Sequence, residues 1–340
     1  MKIFLLLVLS TVSARKYLPI GRMAEWKTAD PNYGPDYGQP EQVHLSLGSD
    51  FAYNMDTDDG RVGDEFFRQL EPIAAYVPYM TAVGNHESGS NFSHYANRFT
   101  MPNTDDNLFY SFDLGHAHFV IFSTEFYFST EYGWNQIQNQ WNWLIQDLTL
   151  VEKMLETPSS QEANNNRANV PWIFTFGHRP MYCSDFDGDD CTKYESIIRT
   201  GLPKTHAYGL EKLFYEYGVD VYNGTASPYL NPLAPVHIVS GSAGCRENTD
   251  TFVSNPEPWS ARRSTDYGFG ILRIHNATHV HFRQVAAAKD EIQDDFWIEK
   301  HPKHSYKHTH RRRPHKATYV PLDYCHNPKY CVHRSGRGDL

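Results

Sequence analysis

Two short polar motifs, each directly after an apolar run, carry the residue types best suited to chemistry. The first is Asp50-Phe51-Ala52-Tyr53, which follows residues 43–49; the second is Gly84-Asn85-His86-Glu87, which follows residues 77–83. Carboxylate, phenol, amide and imidazole groups are the oxygen and nitrogen donors that hold hard and borderline metal ions. Delivered together to one rim, such donors build a metal site.

The elements that must position these groups can be read from apolar spacing. Residues 64–76 carry Phe66, Phe67, Leu70, Ile73 and Ala74 at three-to-four-residue intervals, which predicts a helix between two strands. Strand, helix, strand is a βαβ unit, and sites in such units form beyond the carboxyl ends of the strands. Further along, residues 91–106 read as loop and residues 108–113 with 116–122 as a hairpin. Residues 134–155 form an amphipathic helix facing inward through Trp141, Leu144, Ile145, Leu148, Val151 and Leu155. Residues 170–176 read as a buried strand running into His178, and residues 206–217 as a helix. Residues 219–222 and 236–241 read as strands, and a terminal hairpin of 270–275 with 278–285 closes the sheet. Alternating helices and strands give an α/β class, layered.

With these motifs in view, the chain resembles the purple acid phosphatases, the dinuclear-metal branch of the metallophosphoesterases. Gly84-Asn85-His86-Glu87 matches that family's G-N-H-[DE]. Asp50-x-x-Tyr53 matches its G-D-x-x-Y except that Ser49 replaces the glycine. His178, within Phe176-Gly177-His178-Arg179-Pro180-Met181-Tyr182, looks like the family's lone histidine. The resemblance runs over about residues 43–285 and implies an α/β/β/α metallophosphoesterase sandwich, truncated and without the N-terminal β-sandwich domain. It implies metal ligation by Asp50, Tyr53, Asn85 and His178, with Asp50 bridging an Fe(III) and a divalent ion (Fe, Zn or Mn) and Tyr53 binding the Fe(III) as a phenolate. By the same resemblance His86 contacts the phosphate and serves the leaving group as general acid, with Glu87 supporting it from behind.

Two family motifs are absent from the sequence. No G-D-x-G precedes Gly48 and no G-H-x-H follows His178. Tyr217-Gly218-Val219-Asp220 resembles the segment that leads into G-H-x-H, whereas Asn223-Gly224-Thr225 resembles one beyond it, as after an internal deletion. On this count the first ion keeps only Asp50 and Tyr53, and the second keeps Asp50, Asn85 and His178. Two H-x-H pairs stand elsewhere. His116 and His118, in Gly115-His116-Ala117-His118, would share one face of a strand. His279 and His281 lie on the closing hairpin without an acidic partner. Both pairs read as strand residues rather than ligands.

Composition bounds the rest. The 340 residues carry a formal net charge of −9, which argues against a general nucleic-acid binder, and the 14% aromatic content argues against disorder. The 18 histidines would make the chain far more positive in an acidic compartment. Residues 1–14 run from a basic start through an apolar core to small residues, the pattern of a secretory signal peptide cleaved after about Ala14. No other apolar run approaches a membrane span. Sequons at Asn91, Asn223 and Asn276 agree with export. Of the five cysteines, Cys183 and Cys191 are close enough to bridge, as are Cys325 and Cys331. Cys245 is left over, for an intermolecular bond or a lost partner.

The expected organisation is therefore a signal peptide (1–14), an irregular lead-in (15–42), a metallophosphoesterase-like domain (43–295, with a C-terminal segment from about 235) and a basic, His-rich tail (296–340). The function expected is that of a secreted acid phosphatase, extracellular or lysosomal, acting on small phosphomonoesters or phosphoproteins. Two alternatives differ in class. One is a catalytically impaired homologue that binds metal or phosphate; the other is a nucleotide phosphodiesterase, against which Tyr53 argues.

Overall fold

Apolar runs separated by amphipathic stretches produce a layered α/β architecture in the computed structural model, which describes residues 2–7, 46–48, 50–52, 54–153, 170–186, 195–202, 205–216, 229–232, 236–241 and 249–301. In chain order the elements are β1 (Lys2–Leu7), β2 (Ser46–Gly48), α1 (Arg61–Ala74), β3 (Tyr79–Thr81), α2 (Gly89–Arg98), β4 (Tyr110–Leu114) and β5 (Ala117–Ile121). There follow α3 (Asn135–Lys153), β6 (Trp172–Phe176), α4 (Glu195–Thr200), α5 (Leu210–Glu216), β7 (Val236–Ser240), β8 (Gly268–Ile274), β9 (His279–Ala286) and β10 (Glu291–Glu299).

The main sheet has the order β4-β5-β6-β1-β7. Its β5, β6, β1 and β7 are parallel, and β4 is antiparallel to β5. Strands buried on both faces need apolar residues at every position. Accordingly, every residue of β5 and of β6 is buried, with the Phe119 ring in contact with those of Phe174 and Phe176. Helix α3 lays Ile137, Trp141, Leu144 and Leu148 into this core. Beside the main sheet, β2 and β3 pair in parallel, Leu47 opposite Met80, with α1 as their crossover. That is the expected βαβ unit.

The structure departs from the sequence reading in four places. First, residues 89–98 are helical rather than loop. Gly, Ser and Asn suggested a loop, but Phe92, Tyr95 and Phe99 fall at helical spacing and bury their rings against the core. Secondly, the terminal hairpin does not close the main sheet; with β10 it forms a separate antiparallel sheet, β10-β9-β8. Strand β10 runs to Glu299, so the boundary drawn at residue 295 falls inside a strand.

Thirdly, His116 and His118 do not share a face. Gly115 (φ 55°) and His116 form the tight turn between β4 and β5, leaving His116 exposed while His118 points into the core. Fourthly, His281 has an acidic partner after all, because β10 brings Asp295 to within 2.7 Å of its Nε2. Its ring also stacks on Trp297 at 4.4 Å.

The N-terminal segment has a place in the sheet. Lys2–Leu7, within the run that reads as a leader, pairs in parallel with β6 on one side and β7 on the other. The expected lead-in, the strand at 219–222, the tail beyond 301, Tyr53, Asn223, Cys191, Cys245, Cys325 and Cys331 lie outside the described residues. Cys183 is disulfide-bonded, to a partner also outside them.

Candidate metal centre

Asp50, Asn85 and His178 stand shortly beyond the ends of β2, β3 and β6, and there the chemistry-bearing residues meet. After β2 the backbone enters a contorted loop in which Asp50 (φ 53°), Ala52 (φ 56°) and Asn54 (φ 77°) all lie in the left-handed region. Non-glycine residues rarely adopt it, and such strain concentrates at functional sites. Phe51 anchors the loop, buried among the rings of Phe66, Tyr79, Tyr95 and Phe99 at centroid distances of 4.9–6.3 Å. After β3, Asn85–Glu87 form one 3₁₀ turn.

Asp50, Asn85 and His178 converge. His178 Nε2 lies 2.9 Å from Asn85 Oδ1 and 3.2 Å from Asp50 Oδ2. The other oxygen of Asp50 accepts the His86 backbone N–H at 3.2 Å. Burial works to raise the Asp50 carboxyl, but the adjacent His178 outweighs it and holds the group below its usual range. Burial likewise opposes the charged form of His178, and Asp50 outweighs burial to raise it.

Glu87 binds backbone rather than the His86 ring. Its two oxygens accept the N–H groups of Phe51 (2.7 Å) and Gly84 (2.9 Å), stapling the two motif loops together. Burial, with the Asp50 charge nearby, pushes its carboxyl up to about 8. The side-chain partner of His86 is Asn54, whose Oδ1 stands 3.1 Å from Nδ1.

The turn bearing His178 is held by the segment that follows β5. Gly177 has no room for a side chain, since a Cβ there would come within 2.9 Å of the Phe122 ring and the Thr124 methyl. Arg179 donates its backbone N–H to Thr124 Oγ1 at 2.9 Å. Its Nε lies 2.9 and 3.0 Å from the two oxygens of fully buried Glu125, and its guanidinium covers the Phe128 ring at 4.2 Å.

The chain is similar to known proteins over much of its length. The calcineurin-like phosphoesterase family model matches residues 50–224, and the iron/zinc purple acid phosphatase-like protein C model matches residues 234–295. The chain belongs to the calcineurin-like phosphoesterases, on the purple acid phosphatase branch. It is 49% identical over 271 residues to acid phosphatase type 7 of Homo sapiens, covering 73% of this chain and 59% of that protein. Purple acid phosphatase 18 of Arabidopsis thaliana is 28% identical over 258 residues, 69% of this chain and 52% of that protein. The chain thus spans little more than half the length of these relatives. In fold it is similar to the yellow lupin purple acid phosphatase PPD1, with a TM-score of 0.57 at 21% identity, over 76% of this chain and 47% of that one.

For a phosphoesterase, the donor set passes a simple fit test. An ion with bonds of about 2.1 Å at right angles separates neighbouring ligand atoms by about 3 Å. The spacings of His178 Nε2 from Asn85 Oδ1 and Asp50 Oδ2 match that edge. Tyr53, which the family resemblance gives to the other half of the metal pair, lies outside the described residues. Among the described residues no group of three or more His, Cys, Asp or Glu is placed to hold a metal.

Sequence reading missed Asn54, Glu125 and Arg179. Asn54 follows the first motif directly, so proximity was its only signal; Glu125 acts across 54 residues and had none. If Asn54 fixes the His86 ring, Asn54→Ala should lower kcat about 10-fold or more with little change in KM, as the loss of an orienting partner usually does. Steady-state kinetics on an aryl phosphate check this; an unchanged kcat would assign Asn54 to the loop alone.

Proposed function

We propose that this chain hydrolyses phosphomonoesters, small or protein-borne, through a metal-activated water at the site formed by Asp50, Asn85 and His178. The observation that carries the reading is the convergence of those three donors at the ends of β2, β3 and β6. A bound ion would lower the pKa of water and neutralise charge on the phosphoryl oxygens. Asp50 and Asn85 offer oxygens and His178 a nitrogen. His86, its ring oriented by Asn54, is the acid for the leaving alcohol oxygen. Glu87 keeps the loops bearing Asp50 and Asn85 in register. The purple acid phosphatase resemblance would add an Fe(III) ion on Asp50 and Tyr53, but the hydrolytic reading does not need it and rests on the three converging donors alone.

Export is part of the proposal. The leader-like N-terminus supports it, as do two exposed sequon asparagines. Asn91 lies at the solvent-facing start of α2. Asn276 turns its Oδ1 to the N–H groups of Thr278 and His279. N-terminal sequencing of exported protein separates the two uses of residues 2–7. A start near Arg15 assigns them to export and leaves the position between β6 and β7 to another strand.

The test is hydrolysis of a chromogenic aryl phosphate at acidic pH before and after chelation. The expected result is a rate that falls to background on chelation and returns with a divalent metal. No rate above the chelated control, in protein shown to be folded, would overturn the enzyme and leave a homologue that binds metal or phosphate.

A further inference from the structure

We infer that this chain keeps one metal ion, a divalent cation held by Asp50, Asn85 and His178, where its family keeps a pair. The inference deepens the proposed function and rests on the same three donors.

Three observations carry it. The first is that one carboxylate, one amide oxygen and one imidazole nitrogen suit a borderline divalent cation such as Zn(II), Mn(II) or Fe(II). The 2.9 and 3.2 Å spacings match adjacent ligand positions around a single ion.

The second is that, among the described residues, the remaining polar groups of the two motif loops are already engaged. Asp50 Oδ1 accepts the His86 N–H, and the two oxygens of Glu87 are taken by Phe51 and Gly84. The His86 ring is against Asn54. Histidines further away are committed too. His118 lies between Asp113 and Asp147, His281 is paired with Asp295 in a different sheet, and His206 Nδ1 stands at the Thr200 carbonyl.

The third is charge. Fe(III) beside a divalent ion brings five positive charges to one site. Asp50 and a Tyr53 phenolate return two, whereas a lone divalent ion leaves one uncompensated charge against Asp50. Like charges a few Å apart in a partly desolvated site repel strongly, so a second ion would need anionic donors beyond these two.

The experiment is a metal count on the full-length protein. The protein is loaded with Zn(II) and Fe(III), gel-filtered and analysed by elemental mass spectrometry, with circular dichroism to verify folding. The expected result is one Zn(II) per chain and no visible absorption from an iron-phenolate. Asn85→Ala should lose the ion, whereas Tyr53→Phe should retain it. Two ions per chain, no retained ion, or loss of the ion in Tyr53→Phe would each overturn the inference. The wild-type count decides even where a variant fails to fold. One ion per chain without phosphatase activity would overturn the proposed function and leave this inference standing.

Discussion

His178→Ala is expected to reduce aryl phosphate hydrolysis by more than about 100-fold. Changing a residue that only supports a metal ligand already costs about 10- to 100-fold in affinity or activity. His178 is placed as a ligand itself, and it is the sole nitrogen of the three converging groups. Its removal leaves Asp50 and Asn85, an arrangement that grips a divalent ion weakly, so the lost rate should return only partly at high added metal. The comparison is kcat/KM for wild type and variant over a metal titration. Folding should survive, because β6 is fixed through Trp172, Phe174 and Phe176 and the turn after it through Arg179. A variant that keeps its rate without added metal would remove His178 from the site.

The second large effect concerns stability and lies away from the metal centre. His118 is buried with Nδ1 2.7 Å from Asp113 and Nε2 3.0 Å from Asp147, and Ser111 donates to the other oxygen of Asp147 at 2.7 Å. A carboxylate on each ring nitrogen calls for a proton on both. Burial works against that charge, but the hydrogen bonds to the two aspartates outweigh it and raise the His118 pKa. A histidine whose folded pKa exceeds its unfolded value contributes stability that is full below the unfolded value and lost as pH rises through the folded one. The cluster should therefore make the protein more stable on the acidic side of neutrality than on the alkaline side.

Asp147→Asn should cost about 3 kcal/mol under acidic conditions, the low end of what breaking a buried ion pair costs, because Asp113 remains. The loss should shrink as pH rises through the raised pKa of His118. Urea unfolding at about pH 5.5 and about pH 8 tests both statements. An equal loss at the two pH values would show that Asp147 acts through packing and not through charge.

What could be read in advance follows from how far each interaction reaches along the chain. Asp50 and Asn85 stand just beyond apolar runs, so local pattern was enough to put them on one rim of a βαβ unit. His178 follows a buried strand that was legible, but its role came only from the family resemblance. Asn54 and Glu125 were missed, because their roles depend on partners 32 and 54 residues away. The His118 cluster was invisible for the same reason, and its sequence neighbour His116 invited the wrong pairing. Helix α2 was read as loop because its ends are rich in Ser and Asn, and only the burial of Phe92 and Tyr95 reveals its inner face.

If N-terminal sequencing finds residues 2–7 retained, strand β1 also bears on how the chain folds. Its neighbours in the main sheet lie far along the sequence: Ile3 stands opposite Phe174 on one side and Val236 on the other. Contacts of such long sequence separation slow folding, because loop closure comes before any pairing gain. A ribosome adding about 5–20 residues per second would need on the order of tens of seconds to deliver β7 after β1 has emerged. During that interval β5 and β6 can pair while the first strand waits, an apolar edge open to other chains. Aggregation during synthesis is then a hazard of this topology, and holding β1 with a chaperone should raise the yield.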